Sequence, residues 1–268
     1  MRSPAFQRLL LTGAAGGLGR ELRRRLPAHC AILRLSDVVD LGAAGPAEET
    51  STVDLADAAA VLALLHGVDA VIHMGGVSTE QPWEAILPAN IVGAYNLYEA
   101  ARKNGVRRVV FASSNHVTGF YRQDEVIPAG APARPDGLYG LSKAFGEDLA
   151  QLYFDRHGIE TVSLRIGSSF AVPRDRRMLH TWLSFDDMER LVLAALTAND
   201  VGHSIVCGVS ANPHVWWDNT PAAHIGYAPQ DSSAPWAVEI ERNTAPGDPT
   251  DPAVIYQGGS FVRQGSGK

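Results

Sequence analysis

Residues 8–20 read RLLLTGAAGGLGR. An apolar run over residues 8–11 enters a turn with glycine at positions 13, 16 and 19. The helical pattern of residues 17–26 begins inside that turn. Strand, G-x-x-G-x-x-G and helix in this order are the context that gives a glycine motif meaning as a dinucleotide site. Gly13, Gly16, Gly17 and Gly19 let the backbone approach a pyrophosphate, and the helix N-terminus offers free N–H groups and a positive dipole end. A second predicted strand, residues 31–36, runs into Asp37, 18 residues after Gly19. A carboxylate about 20 residues beyond the motif accepts from the adenosine ribose hydroxyls and repels a 2′-phosphate. The cofactor expected is therefore NAD rather than NADP, with Arg20 and Arg34 nearby as a contrary signal.

The same alternation continues outward. A short third strand is expected at residues 52–54, a helix at 57–65, a strand at 70–73, a long helix at 88–104, a strand at 108–112, a helix at 138–157 and a strand at 161–166. Strands separated by helices pair in parallel through right-handed crossovers, and their continuous apolar character suits a sheet covered on both faces. The fold class expected is α/β, a doubly wound parallel sheet (Rossmann-type) with a small C-terminal substrate lobe. Residues 1–167 would form the NAD-binding core, and residues 168–268 the lobe and tail, all within a single domain. Residues 184–198 read as a helix and 204–206 as a strand. From residue 212 the chain is rich in Pro, Trp, Asp and Gly.

Composition narrows the function. The chain has 268 residues, 46% of them hydrophobic and 19% charged. A net charge of -6 argues against a nucleic-acid surface, which is usually basic. Cys30 and Cys207 are too few for a disulfide framework and lack metal spacing, so no metal is expected. No apolar run reaches the roughly 18 residues of a membrane span, and with the glycine motif so early in the sequence no signal peptide is expected. A cytoplasmic protein with a small-molecule ligand is the expectation.

Chemistry enters with Tyr139 and Lys143, four residues apart in LYGLSKAFGED and so on one helix face. The lysine's charge is expected to lower the tyrosine pKa, making the phenol a usable base. Ser113 and Ser114 stand at the end of the fifth strand, where one hydroxyl would align the reacting oxygen. His116 beside them reads as a substrate contact. On the cofactor side, Asp54 and Leu55 follow the third strand, and His73 and Gly75 lie in HMGGVS after the fourth. Asn90 and Lys143 complete the cofactor candidates.

These motifs, in this order, resemble the extended short-chain dehydrogenase/reductase superfamily over residues 8 to about 170. More narrowly, FASSNHVTGFY, ARPDGLYGLSKAFGE, LRIGSS, RRMLHTWLS, VWWDN and QGGSFV resemble the uronate dehydrogenase family through almost the whole chain. The resemblance implies NAD-dependent oxidation of a hexuronic acid, galacturonate or glucuronate, at the anomeric C1 hydroxyl to the aldarolactone. It implies Tyr139 as general base, Lys143 as its partner, and Ser78, Ser114, Asn115, His116 and Ser168 against the sugar. Arg177 would pair with the carboxylate, Phe261 would close over the site, and Gly13, Gly16, Leu18, Asp37, Asp54 and Leu55 would hold NAD. Extra arginines in AVPRDRR leave Arg174 and Arg176 as alternatives to Arg177. Homo-oligomerisation through the helices at residues 88–104 and 138–157 is implied as well.

Two other readings compete. A sugar-nucleotide epimerase or dehydratase shares the glycine motif and the Tyr/Lys pair. It would need room for a nucleotide diphosphate, and the tail here is short; a dehydratase would also want acidic groups beside Ser113 or Ser114, where the sequence shows none. A non-catalytic NAD-sensing protein would usually have lost the tyrosine or the lysine.

Overall fold

The computed structural model describes residues 5–264. Its central sheet has seven strands, all parallel. They are β1 (Phe6–Thr12), β2 (Cys30–Asp37), β3 (Glu48–Thr52), β4 (Ala70–His73), β5 (Arg108–Ser114), β6 (Glu160–Ile166) and β7 (His203–Gly208). Their spatial order is β3-β2-β1-β4-β5-β6-β7. The apolar run in β1 explains its central place. Leu9, Leu10 and Leu11 are all fully buried, with Leu9 and Leu11 in one core cluster and Leu10 in the other. Successive strand residues face opposite sides, so an unbroken apolar run requires cover on both.

Helices α1 (Gly17–Arg25), α2 (Ala58–Leu64), α3 (Gly93–Asn104), α4 (Leu138–His157) and α5 (Phe185–Thr197) supply that cover. Leu22 of α1 and Leu191, Val192 and Ala195 of α5 pack on the Leu9 face. Val61 of α2, Leu97 and Tyr98 of α3, and Leu149 and Tyr153 of α4 pack on the Leu10 face. Local chemistry sets the helix ends. Asp57 accepts from the N–H groups of Ala59 and Ala60 at 3.0 Å each, and Ser184 from that of Asp187 at 2.9 Å. Gly105 and Gly158 end α3 and α4 in the left-handed conformation, at φ +73° and +63°.

The third strand lies earlier than residues 52–54. It is EETST, a polar edge strand with no apolar run to announce it, held in place by Arg8 and Arg34 on Glu49. The helix expected from residue 88 also differs. Helical structure begins with a turn at Trp83–Ile86 and passes through a π-helical segment, Leu87–Val92, before α3. Pro88 has no N–H to give, and Gly93 reaches back five residues to its carbonyl.

Beyond residue 167 the chain returns to the main sheet, giving it β7 and the covering helix α5. Two short ladders stand apart: Ser168–Ser169 with Trp182–Leu183, and Ile127–Pro128 with Trp217–Asp218. No helix among the described residues is long and apolar enough to cross a membrane. The chain reverses direction across the sheet between β1 and β4. Ligands of doubly wound folds sit beyond the carboxyl ends of the strands at such a switch point.

Candidate active site

The loop after β1 is packed as tightly as its glycines suggest. Gly13 has φ +69°, and a Cβ there would lie 2.6 Å from the backbone N of Gly75. A Cβ on Gly19 would overlap the Gly13 carbonyl, whereas one on Gly17 would meet nothing within 4 Å. Gly13 and Gly19 thus close the turn against β4 and α1, and Gly17 keeps the outer surface of the loop open. The Asp37 carboxylate accepts from the N–H of Ala15 at 2.9 Å and of Val38 at 2.8 Å, which ties the strand end to the glycine loop. Arg34 is engaged by Glu49 at 2.6 Å and by the carbonyls of Leu64 and His66, so it does not offset the Asp37 charge.

Other cofactor-side candidates take different parts. Asp54 is exposed and caps a turn at the N–H of Ala56, 2.9 Å away. Leu55 is buried against Gly75 and Gly93. His73 is enclosed, with Nδ1 2.7 Å from the Thr12 hydroxyl and its ring stacked on Phe111. Burial, helped by the Lys143 charge, pushes its pKa down to about 3, so it stays neutral. Asn90 accepts from the N–H of Val77 at 2.8 Å and donates to the Val77 carbonyl and the Ser142 hydroxyl. His73 and Asn90 therefore shape the loop that carries Gly75 and Ser78.

Tyr139 and Lys143 share one face of α4, and both are buried. The Lys143 ammonium lies 5.8 Å from the centre of the Tyr139 ring and 5.3 Å from that of Phe111. No hydrogen bond or ion pair reaches it from the described residues, and burial brings its pKa down to about 8. The expected lowering of the tyrosine is not found. Burial pushes the Tyr139 phenol up, a hydrogen-bond contact with Ser114 pulls it back, and the charge of Asp136 raises it further. Loss of solvent around the phenol is the largest of these effects, and Lys143, 5.8 Å from the ring centre, does not offset it.

The two serines separate by the alternation of β5. Ser113 donates to Glu147 at 2.5 Å, and Glu147 is held by Arg165 through bonds of 2.9 and 2.7 Å. The acidic neighbour missing from the sequence around Ser113 is thus present in space, but it is neutralised by a buried arginine. Ser114 is left facing Tyr139.

His116 bonds Asp136 through Nδ1 at 2.7 Å and stacks on Phe261, ring centres 3.8 Å apart. Arg177 is half-buried beside them. It donates to the Gln257 carbonyl at 2.9 and 2.6 Å and to the Ser168 hydroxyl at 3.2 Å. The Asn115 amide accepts from Arg177 at 2.7 Å and donates to the Ile166 carbonyl at 3.0 Å. All of these partners are neutral, and burial lowers the guanidinium pKa to about 10. Arg174 lies over the Phe170 ring, and Arg176 donates to the carbonyls of Thr244 and Glu241. Of the three arginines, Arg177 is the one placed with Ser168, Asn115 and His116.

Three residues of this site escaped the sequence reading. Glu80 accepts from the N–H groups of Leu138 and Tyr139 at 2.9 Å each, capping α4 where Gly137 has no side chain to do so. Asp136, three residues before Tyr139, and Gln257, in QGGSFV, stand in no local spacing that announces their roles.

The glycine cradle, the open face at Gly17, the Asp37 carboxylate and the Lys143 ammonium, unpaired among the described residues, fit a dinucleotide. A strand-end hydroxyl, a tyrosine and a lysine beside such a cradle define a nucleotide-dependent enzyme of the short-chain type. Residues 9–184 match the NAD dependent epimerase/dehydratase family, to which the chain belongs. It is 58% identical to uronate dehydrogenase from Pseudomonas putida over 99% of both chains. Among solved structures, glucuronic acid dehydrogenase from Chromohalobacter salexigens superposes with TM-score 0.95 at 56% identity, covering 97% of each chain. A tyrosine-to-alanine mutant of uronate dehydrogenase from Agrobacterium tumefaciens, complexed with NAD, gives TM-score 0.94 at 50% identity over 97% of this chain and 98% of that one.

Proposed function

We propose that the protein is an NAD-dependent uronate dehydrogenase, oxidising galacturonate or glucuronate at the anomeric C1 hydroxyl to the aldarolactone. The observation that carries this reading is Arg177: a half-buried guanidinium whose hydrogen-bond partners among the described residues are all neutral, set beside Ser168, Asn115 and His116. Such a group favours an anionic ligand, and a planar carboxylate matches its fork. A neutral sugar would leave that charge poorly compensated.

Gly13, Gly16, Gly17, Leu18 and Gly19 would cradle the pyrophosphate, Asp37 would take the adenosine ribose, and Lys143 the nicotinamide ribose. The bound NAD would accept the hydride leaving C1. Ser114 aligns the C1 oxygen, and Tyr139 removes its proton. A ribose hydroxyl donating to the phenol oxygen and the Lys143 ammonium would favour the phenolate that burial disfavours in the unliganded site. Losing hydride from C1 and a proton from its hydroxyl turns a closed pyranose into a lactone without ring opening. Ser78, Asn115, His116 and Ser168 contact the ring, and Phe261 covers it.

Asp37 supports NAD over NADP. Exposed Tyr95 on α3 and exposed Leu141 and Leu152 on α4 support a homo-oligomer joined through these helices. A cytoplasmic location suits a free sugar acid and NAD as substrates. The test is NADH absorbance on mixing protein, NAD and galacturonate or glucuronate, with glucose and UDP-glucose as controls. Turnover confined to the uronates is expected. Turnover with UDP-glucose alone, or with none of them despite NAD binding, would overturn the reading.

A further inference from the structure

The Asp136 side chain is fully enclosed, 0% exposed, although aspartate is costly to bury. One oxygen, Oδ2, bonds Nδ1 of His116 at 2.7 Å. The other, Oδ1, is buried with no hydrogen-bond partner among the described residues. The seat is built for this carboxylate. A Cβ on Gly119 or on Gly258 would overlap it, and these two glycines are joined by a backbone bond of 2.8 Å. The loop after β5 and the tail before Phe261 therefore clasp Asp136 between them. Its charge also reaches Tyr139 and Arg177.

A carboxylate with an orphaned oxygen is a poor structural device, because a neutral side chain of the same shape would avoid the desolvation cost. It makes sense as a device acting on His116. A carboxylate can only accept, so the histidine must donate from Nδ1. In neutral imidazole the other nitrogen is then an acceptor. Nε2 of His116 has no hydrogen-bond partner among the described residues, and the ring is held by stacking on Phe261 and edge-on to Tyr139.

We propose that Asp136 is a positioning residue for the reaction, locking His116 in the Nδ1–H form so that Nε2 accepts a hydrogen bond from a sugar ring hydroxyl other than the one oxidised. The proposal rests on the sugar-acid reading of the site. It assigns specificity for a hydroxylated ring to His116, and the fixing of that specificity to Asp136.

The test joins a spectroscopic and a kinetic measurement on the NAD-bound protein. Two-bond proton–nitrogen correlations of 15N-histidine-labelled protein, with His116 assigned through His116→Gln, should show Nε2 unprotonated and Nδ1 protonated. In Asp136→Asn, whose amide can donate, that preference should be lost. The same variant should lose about 10- to 100-fold in kcat/KM for galacturonate, mostly in KM, as expected for one misplaced hydrogen bond to substrate. Its KM for NAD should be unchanged and its melting temperature no lower. An Nε2–H tautomer in the unchanged protein would overturn the proposal, whether or not the variant folds. So would an unchanged galacturonate KM in Asp136→Asn, or a loss shared equally by NAD. Failure of the unchanged protein to oxidise any uronate would instead remove the sugar-acid reading, leaving the tautomer to be decided by its own spectrum.

Discussion

Replacing Arg177 by alanine should discriminate between substrates by charge. The guanidinium has two functions in the structure: it donates twice to the Gln257 carbonyl and once each to Ser168 and Asn115, and it presents a positive charge that no carboxylate among the described residues directly pairs. Alanine removes both. Losing a half-buried guanidinium from a bound carboxylate costs about 2–4 kcal/mol, or about 30- to 1,000-fold in kcat/KM. The lost bracing of the tail and of Asn115 affects any sugar, charged or neutral. The assay is therefore a comparison of kcat/KM for galacturonate and for galactose in the unchanged protein and in Arg177→Ala. The ratio of the two should collapse in the variant, with the galactose value changing by less than about 10-fold. Arg177→Lys should recover only part of the uronate activity, since a point charge cannot form the two parallel bonds of a guanidinium fork. Equal losses for both sugars would show that Arg177 only supports the loop, and the carboxylate argument would fail.

Burial holds Lys143 at about 8 against an ordinary 10.5. Between these values the unfolded chain binds more protons than the folded one, so the unliganded protein's stability should rise with pH across that window and the penalty be fully present below pH 8. Lys143→Met should abolish activity yet raise the melting temperature of the unliganded protein at pH 7.5, by an amount reflecting about 1–3 kcal/mol, with the advantage shrinking towards pH 10. Thermal melts of both proteins across pH check the sign. Gly13→Ala should destabilise by about 2 kcal/mol or more and abolish NAD binding by calorimetry, because φ +69° and the contact with Gly75 both oppose a side chain. Glu147→Gln leaves Arg165 buried without its anion and should cost about 3–5 kcal/mol in denaturant unfolding.

The helix and strand positions that the sequence announced clearly are those whose burial is continuous or whose ends are chemically marked. The run at Leu9–Leu11, the Tyr139 helix ended by Gly158, and β4 all follow from apolar pattern and turn chemistry. The edge strand β3 did not, because its stability comes from pairing with β2 and from arginines on neighbouring strands rather than from its own side chains. The π-helical segment was equally hidden, since its wider winding answers to Pro88 and to the loop held by Asn90.

At the site, the glycine cradle, Asp37 and the Tyr139–Lys143 pair were legible because each is a local motif with fixed spacing. Glu80, Asp136 and Gln257 act on groups 58, 20 and 80 residues away, at Leu138, His116 and Arg177. Separations of that kind leave no local pattern. The choice between Ser113 and Ser114 likewise needed Glu147 and Arg165 in space to show which serine is already committed. The same was true of the three arginines, where only Arg177 reaches the site.

The oxidised carbon is where the proposed chemistry is most exposed to test. Proton NMR of galacturonate during turnover, with NADH followed in parallel, should show the anomeric signals disappearing one-for-one with NADH formed while lactone signals appear. Retention of the anomeric proton while NADH accumulates would place oxidation at another carbon and contradict the roles assigned to Ser114, Tyr139 and Arg177.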